Sequence, residues 1–327
     1  MFAFAPNCCY VSIMKNKITY TLHPDLKRFE KLRLGNVRLS RPVLALNNVM
    51  ARVSVAFFFP PRNIRRRRFK ISGYLDALIN LTIYEPKNLK NNAPCLVYFH
   101  GGGFISRDFG LLHNVLCRYA ADAPCRVVLV NYRLAPRFPF PVGLEDCYAA
   151  LLWVYANAEK LGANPENISV GGDSAGAALA TVCAQLSRDR SGPRLKSQLL
   201  LYPVTDMSLS TRSIQELADC PGCNPCLLRQ MWAYYLKNGC SGAEHYASPM
   251  HAKTLAGLSP AYIETQEFDS LKDEGRAYAE KLRADGVEAE HTELKGTFHA
   301  FDTAYNTSVA KTAVADRVDF LIKHMYL

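Results

Sequence analysis

Ser174 lies two residues from a glycine on each side, in the Gly-Asp-Ser-Ala-Gly segment 172–176. A β-branched run precedes the segment and an alanine-rich helical pattern over 177–188 follows it, so the serine should occupy a tight strand-to-helix turn. Glycine is needed on both sides because side chains there would collide where strand and helix almost touch. Such a turn exposes a hydroxyl that could attack a carbonyl. The alternative is an ordinary Gly/Ser loop.

Three successive glycines, Gly101, Gly102 and Gly103, follow His100 directly after an apolar run that begins near Cys95. Glycines leave their backbone N–H groups uncovered, and an oxyanion that forms on a carbonyl needs such donors. A phosphate-binding loop is the alternative, but no Gly-Lys-Ser/Thr follows and no Gly-x-Gly-x-x-Gly is present. The spacing therefore predicts an oxyanion hole beside Ser174.

A serine nucleophile needs a base and an acid, because its hydroxyl is almost never ionised near neutral pH. His299 follows a strand-like stretch over 287–294, and Asp269 follows the apolar strand that precedes it in the chain. The order Ser174, Asp269, His299 is that of an α/β-hydrolase and differs from the chymotrypsin and subtilisin orders. Asp273 is the second candidate for the acid. A structural histidine and a helix-capping aspartate are the alternative interpretations.

With these motifs the chain resembles the hormone-sensitive-lipase-like carboxylesterases of the α/β-hydrolase fold, from about residue 71 onward. The family's His-Gly-Gly-Gly, Tyr-Arg-Leu-Ala-Pro and Gly-Asp-Ser-Ala-Gly motifs match residues 100–103, 132–136 and 172–176. Its Asp-Pro-Leu-x-Asp-Glu-Gly motif matches 269–275, with Ser270 in place of proline. The resemblance implies that the oxyanion amides are Gly102, Gly103 and Ala175. It also implies supporting roles for His100, Gly101, Gly172, Asp173 and Gly176.

The resemblance further implies a serine carboxylesterase that hydrolyses short-chain acyl esters of small molecules through an acyl-enzyme, without a cofactor or a metal. Two other functions stay open at this point. One is a ligand-binding pseudo-hydrolase, although such proteins commonly lose the base and His299 is present. The other is a lipase that acts on longer acyl chains. The physiological ester is not encoded in any motif.

Alternating apolar runs and helical patterns predict an α/β fold with a mostly parallel eight-stranded sheet, helices on both faces and a small helical cap. Residues 65–206 and 246–327 should form the catalytic core. Residues 1–64 and the insertion 207–245 should form the cap, with an apolar helical stripe in the insertion. The predicted strands are 69–71, 79–84, 95–99, 127–132, 168–170, 198–202, 261–265 and 287–294.

Eleven cysteines, several of them in apolar runs, indicate buried reduced thiols and a cytoplasmic protein. The cluster Cys220, Cys223 and Cys226 could bind a metal with Cys240 as a fourth ligand, but no second Cys-x-x-Cys pair accompanies it. We therefore expect no metal site.

The net charge is +10, with a dense basic run at Arg65, Arg66, Arg67 and Arg68. No nucleic-acid-binding motif accompanies the run, so a solvated basic edge is the expectation and a patch for anionic surfaces or substrates is the alternative. The N-terminus lacks a signal-peptide pattern, and the longest apolar run, 53–59, is too short to cross a bilayer. We expect no nucleic-acid partner and no membrane partner. The oligomeric state stays open, with a homodimer as one candidate.

Overall fold

The computed structural model describes residues 18–33, 35 and 37–327. In this part of the chain, eight strands form one sheet and ten α-helices pack around it. The strands are β1 Ile64–Ser72, β2 Leu78–Pro86, β3 Ala93–Phe99, β4 Arg126–Asn131, β5 Ala163–Asp173, β6 Gln198–Leu201, β7 Ala261–Phe268 and β8 Ala289–Phe298. The helices are α1 Arg41–Ala56, α2 Gly110–Asp122, α3 Val142–Ala156, α4 Ala158–Leu161, α5 Ala175–Asp189, α6 Arg212–Glu216, α7 Pro225–Tyr235, α8 Glu244–Ala247, α9 Lys272–Ala284 and α10 Ser308–Tyr326.

The strand order across the sheet is β1-β2-β4-β3-β5-β6-β7-β8. β2 pairs antiparallel with β1 and with β4, and every other neighbouring pair is parallel. The predicted mostly parallel eight-stranded sheet is confirmed, and each predicted strand overlaps one observed strand. The parallel arrangement places the carboxyl ends of β3, β5, β7 and β8 at one edge of the sheet, where α/β proteins build their sites.

β1 is longer than predicted, because its basic residues belong to the strand. Glu85 on the neighbouring β2 is completely buried, and the Nε atoms of Arg65, Arg67 and Arg126 lie 2.9, 3.0 and 3.0 Å from its carboxylate oxygens. A buried carboxylate is stable only when opposite charges and hydrogen bonds compensate it. Part of the basic run therefore serves the fold, on the face of β1 that carries Arg65 and Arg67.

Two apolar layers hold the helices against the sheet. One joins α3, α5, α7 and α9 to one face, and the other joins α2 and α10 to the opposite face. α5 is buried along most of its length, which its small side chains permit, because alanine and glycine let a helix lie close to a sheet. This close packing fixes the residue that precedes α5, which is Ser174.

The chain segments before β1 and between β6 and β7 contribute no strand within the described residues. Residues 18–29 pack beside β8 and α10, where Tyr20, Leu22 and Leu26 join Phe298 in one apolar cluster. α1 lies beside α2. In the insertion, the predicted apolar helical pattern falls on α7. No helix among the described residues is both long and apolar enough to cross a membrane.

Cysteines of the core behave as small apolar side chains. Cys95, Cys117, Cys125, Cys147 and Cys183 are buried. Burial raises the pKa of the Cys95 and Cys117 thiols to about 12, so both are protonated at neutral pH. The cytoplasmic location stays a prediction.

Candidate active site

Ser174 stands at the sharp turn between β5 and α5, with φ 54° and ψ −121°. Its amide donates to the Leu201 carbonyl at 2.8 Å, which holds the strained backbone in place. A Cβ atom at Gly172 would lie 2.6 Å from the Phe99 carbonyl oxygen, and one at Gly176 would lie 2.7 Å from the His100 carbonyl carbon. Both glycines are therefore required by the close approach of β5, α5 and β3.

His299 links Ser174 to Asp269. Its Nε2 lies 3.0 Å from the Ser174 Oγ, and its Nδ1 lies 2.7 Å from the Asp269 Oδ2. The other carboxylate oxygen of Asp269 accepts from the Leu271 amide at 3.0 Å, which fixes the carboxylate at the start of α9. All three side chains are buried. The tertiary fold thus brings together three groups that are widely separated in the chain, and Asp273 lies outside the relay, facing Ser213 on α6.

The surrounding charges set the proton affinity of the imidazole. Burial alone would lower the pKa of His299, but the charge and hydrogen bond of Asp269 outweigh it, and the pKa lies above its usual value. Asp173 is buried close by, and burial together with the charge of Asp302 raises its pKa to about 6, against a hydrogen bond from Tyr98 at 3.0 Å. The imidazole is therefore more basic than a free histidine.

The glycine loop after β3 lies beside Ser174. Gly102 and Gly103 have φ values of 106° and 62°, and no acceptor among the described residues takes a hydrogen bond from either amide. His100 bonds the Gly101 carbonyl through Nδ1 at 2.7 Å and stacks on Tyr132 with ring centroids 4.4 Å apart. Burial lowers the pKa of His100, so it is a neutral part of the loop support. Ala175 is the first residue of α5, directly after Ser174, so its amide N–H has no acceptor within the helix.

A cavity of about 430 Å³ opens over Ser174 and His299. Its walls are mostly apolar and come from α1, the glycine loop, α2 and α7, with Leu227, Leu228 and Met231 supplied by the insertion. Trp232 and Tyr235, which also belong to α7, pack instead beside Phe104 in the core. The insertion helix thus lines the cavity with one face and fills the core with another.

Comparison with known proteins identifies this arrangement. The family model of the alpha/beta hydrolase fold matches residues 96–303. The chain belongs to the α/β-hydrolase family. Carboxylesterase NlhH of Mycobacterium tuberculosis is 39% identical over 246 residues, which are 74% of this chain and 76% of that protein.

Solved structures agree with this assignment. A bacterial heroin esterase superposes with a TM-score of 0.84 and 31% identity, and the match covers 94% of this chain and 99% of that one. A thermostable esterase from Pseudomonas putida gives a TM-score of 0.86 at 27% identity, over 95% of this chain and 100% of that one. The predicted membership of the hormone-sensitive-lipase-like carboxylesterase branch is confirmed, and with it the expectation of a carboxylic ester hydrolase.

The insertion of this α/β-hydrolase contacts the loops that carry the base and the acid. In the sequence, Ser270 stood out only as a departure from the family motif, and no pattern singled out Gly222. Gly222 has φ 85° and lies directly against the backbone of His299, where a Cβ atom would come within 2.9 Å of the His299 Cβ. Ser270, at the position of the family's proline, donates to the Leu217 carbonyl at 3.0 Å. The serine therefore ties the acid loop to the insertion.

Two asparagines of α1 form hydrogen bonds with residues 105–107, which continue the glycine loop. Asn48 donates to the Ile105 carbonyl at 3.1 Å and accepts from the Arg107 amide at 2.8 Å, while Asn47 donates to the Ser106 hydroxyl at 3.1 Å. No motif marks these asparagines, because their partners lie nearly sixty residues away along the chain. Their effect is to fix the loop that carries the amides of Gly102 and Gly103.

A buried charge network lies beneath the imidazole. The Tyr202 ring meets the His299 ring edge-on with centroids 4.8 Å apart, and the Tyr202 hydroxyl donates to Asp302 at 3.0 Å. Arg317 donates to Asp302 at 2.7 Å and to Glu264 at 2.6 and 2.7 Å. Arg317 therefore compensates the two buried side chains of Asp302 and Glu264.

The cysteine cluster does not converge on a metal-binding geometry among the described residues. The Cys220 thiol donates to the Cys223 carbonyl at 2.8 Å and also contacts the Ser270 hydroxyl at 3.2 Å. The one group in the described part of the chain with ligand atoms close enough for a metal is Glu288, Glu290 and His324. Lys323 Nζ donates to both of those carboxylates, at 2.9 and 2.6 Å, so the lysine side chain compensates their charge.

Proposed function

We propose that the protein hydrolyses carboxylic esters of small molecules, with Ser174 as nucleophile, His299 as general base and acid, and Asp269 as the group that orients the imidazole. The continuous hydrogen-bonded relay from the Asp269 carboxylate through the imidazole to the Ser174 hydroxyl carries this proposal. A serine hydroxyl hydrogen-bonded to a base that a carboxylate orients is the arrangement that activates such a nucleophile.

The reaction proceeds in two steps. His299 Nε2 takes the hydroxyl proton as Ser174 Oγ attacks the ester carbonyl, and the resulting imidazolium gives that proton to the leaving alcohol. Water then enters, loses a proton to the same nitrogen and attacks the serine ester. As the bond between the acyl carbon and Ser174 Oγ breaks, the imidazolium returns the proton to Oγ and the carboxylic acid is released. The raised pKa of His299 favours proton uptake from the serine.

Three backbone amides stabilise the tetrahedral intermediates in this proposal, those of Gly102, Gly103 and Ala175. The first two have no acceptor among the described residues, and the third opens α5 at its positive end. One such donor is worth about 3 kcal/mol of barrier. His100, Gly101, Gly172, Asp173 and Gly176 support this geometry without touching the reacting atoms.

The size of the cavity supports short acyl chains. A volume of about 430 Å³ lies at the lower end of typical small-ligand pockets, and apolar side chains line most of it. A structurally similar protein is named as a heroin esterase, so its name gives a small molecule as the ester. We further propose that the described residues before β1 and the insertion 207–245 together form the cap, because α1 and α7 both line the cavity. The first seventeen residues of the predicted cap segment 1–64, and residues 34 and 36, lie outside the described residues.

The test is the Ser174→Ala variant. We expect hydrolysis of p-nitrophenyl acetate and butyrate to fall by about 10⁶-fold, with an unchanged unfolding temperature. The exposed Ser210→Ala variant is the matched control and should keep full activity. Retained turnover by Ser174→Ala would reject the nucleophile assignment.

Two further measurements separate the other candidate functions. A fluorophosphonate probe should label the unaltered protein and leave Ser174→Ala unlabelled. A ligand-binding pseudo-hydrolase would leave both unlabelled. A preference for the palmitoyl ester over the butyryl ester would favour a lipase.

A further inference from the structure

α1 exposes most of its large apolar side chains to solvent. Of its sixteen residues only Leu44 and Ala51 have buried side chains, and several large apolar residues face solvent. Leu46 and Met50 are 62% and 64% exposed. In a helix of a water-soluble protein the apolar face normally packs on the core. The orientation of α1 therefore has a different cause.

Hydrogen bonds to the polar side of α1 set this orientation. Asn47 and Asn48 bond the loop that carries Gly102 and Gly103, as described above. Near the other end the Gly110 amide donates to the Ser54 hydroxyl at 2.9 Å, and Gly110 lets the two backbones approach. Tyr234 and Gln230 of α7 bond the segment just before α1. Three neighbouring segments therefore hold α1 or the segment just before it, and its exposed apolar side chains face away from them.

The outward residues form one continuous stripe. At about 100° per residue they fall within an arc of roughly 100° on the side opposite Leu44 and Ala51. We call this set the apolar stripe; it consists of Leu46, Val49, Met50, Val53 and Phe57, all at least 48% exposed. Contiguous exposed apolar surface rimmed by polar groups typically marks an interaction site.

The part of the chain that contains the apolar stripe is strongly basic. Between Glu30 and Asp76 the sequence has eleven lysines and arginines and no acidic residue. Arg52 and Arg68 line one cavity of about 480 Å³ beside α1, and both are exposed. Asp108 lines the same cavity, but it is buried and accepts from the Asn131 side chain at 2.8 Å. Among the described residues no carboxylate pairs with these two side chains, nor with Arg38, Arg41, Arg62 and Lys70.

We propose that α1 docks on the surface of a bilayer containing anionic phospholipids, with the apolar stripe in the interface and the surrounding cations near the lipid phosphates. An amphipathic helix with a basic rim has the chemistry of an interfacial helix, and anionic headgroups attract such cations. A second copy of this chain is a poorer occupant, because apposing two identical faces would bring like charges together.

Docking has a consequence for the catalytic cavity. Val43, Leu44 and Asn47 of α1 line that cavity, so docking would hold the helix that forms one cavity wall, with the bilayer on its outer side. This interaction departs from the expectation of no membrane partner drawn from the sequence. It does not depend on catalysis, because the stripe contains no residue of the proposed relay.

Co-sedimentation with vesicles tests the proposal. The full chain carrying Ser174→Ala is mixed with vesicles of phosphatidylcholine alone, and with vesicles that also contain phosphatidylglycerol. We expect at least tenfold tighter binding to the anionic vesicles, and weaker binding at high salt, because ions screen exposed charges. The inactive variant prevents hydrolysis from altering the vesicles, and a failure of the proposed ester chemistry would leave this binding unchanged.

Two pairs of variants locate the surface. Met50→Gln should weaken binding to anionic vesicles about tenfold, whereas Leu152→Gln, an exposed leucine of α3, should not. Arg52→Gln should weaken it about fivefold, whereas Lys253→Gln, an exposed lysine beyond the insertion, should not. Unfolding temperatures of all four variants confirm that they fold.

Four results would overturn the proposal. They are absence of binding to either vesicle, equal binding to neutral and anionic vesicles, loss of binding in the control variants as large as in Met50→Gln and Arg52→Gln, and a concentration-dependent dimer that Met50→Gln dissolves. The last result would identify a second copy as the occupant of the stripe.

Discussion

Gly222→Ala tests the contact between the insertion and the catalytic histidine. The added Cβ would lie 2.9 Å from the His299 Cβ and closer still to the His299 carbonyl oxygen. Carbon atoms prefer separations of about 3.5–4.0 Å, so the two backbones must separate by about 0.6 to 1.1 Å. The φ of 85° adds a penalty of about 1–2 kcal/mol for any residue other than glycine.

The consequence for catalysis follows from the position of the imidazole. His299 Nε2 lies 3.0 Å from Ser174 Oγ, and a displacement near 1 Å would take that pair out of hydrogen-bond range. Misplacement by about 1 Å can cost about 10²-fold in rate, which corresponds to about 2.7 kcal/mol of barrier. We therefore expect kcat for p-nitrophenyl butyrate to fall about 10²-fold, with slower fluorophosphonate labelling.

Gly239→Ala is the matched control. Gly239 also has a positive φ, 79°, but an added Cβ there would meet nothing within 4 Å. The control variant carries the backbone penalty without the clash, so it should lose stability and keep its kcat. If Gly222→Ala and Gly239→Ala show equal kcat and labelling rates, the insertion does not position the base and the argument fails.

Three further outcomes are expected. Asp269→Asn should lower kcat by about 10⁴-fold, whereas Asp273→Asn should have little effect, and a larger loss at Asp273 would reassign the acid. On lowering the pH, kcat/KM should fall with a midpoint above the usual histidine pKa, because the imidazole must be neutral to accept a proton and the pKa of His299 is raised. In Asp269→Asn the midpoint for the residual activity should lie at lower pH, because the charge that raises this pKa is removed. Asn48→Ala removes two hydrogen bonds to the glycine loop, worth about 1 kcal/mol net each, so it should lower the unfolding temperature by about 3 °C and kcat about tenfold. An unchanged kcat would show that the loop holds its geometry without α1.

Much of the sheet could be read from the sequence because its signals are local. Apolar runs between helical patterns mark strands, and each of the eight predicted strands overlaps an observed one. The predicted β1 was too short, because the pattern of apolar residues did not include the arginines. In the structure Arg65 and Arg67 pair with Glu85 of β2, and this pairing allows charged residues to belong to the strand. A pattern of apolar residues cannot reveal such a pairing, because the partner lies on another strand.

The chemical groups of the site were also evident from short motifs. The Gly-Asp-Ser-Ala-Gly turn and the glycine triplet constrain their own backbones, so their geometry follows from adjacent residues. The sequence alone thereby determined which hydroxyl, imidazole, carboxylate and amides are candidates. Only the tertiary structure decided that Gly222 of the insertion touches His299 and that α1 turns its asparagines inward and its apolar stripe outward. The physical reason is that these contacts join residues far apart in the chain, and packing between distant segments leaves no periodic signal in either one.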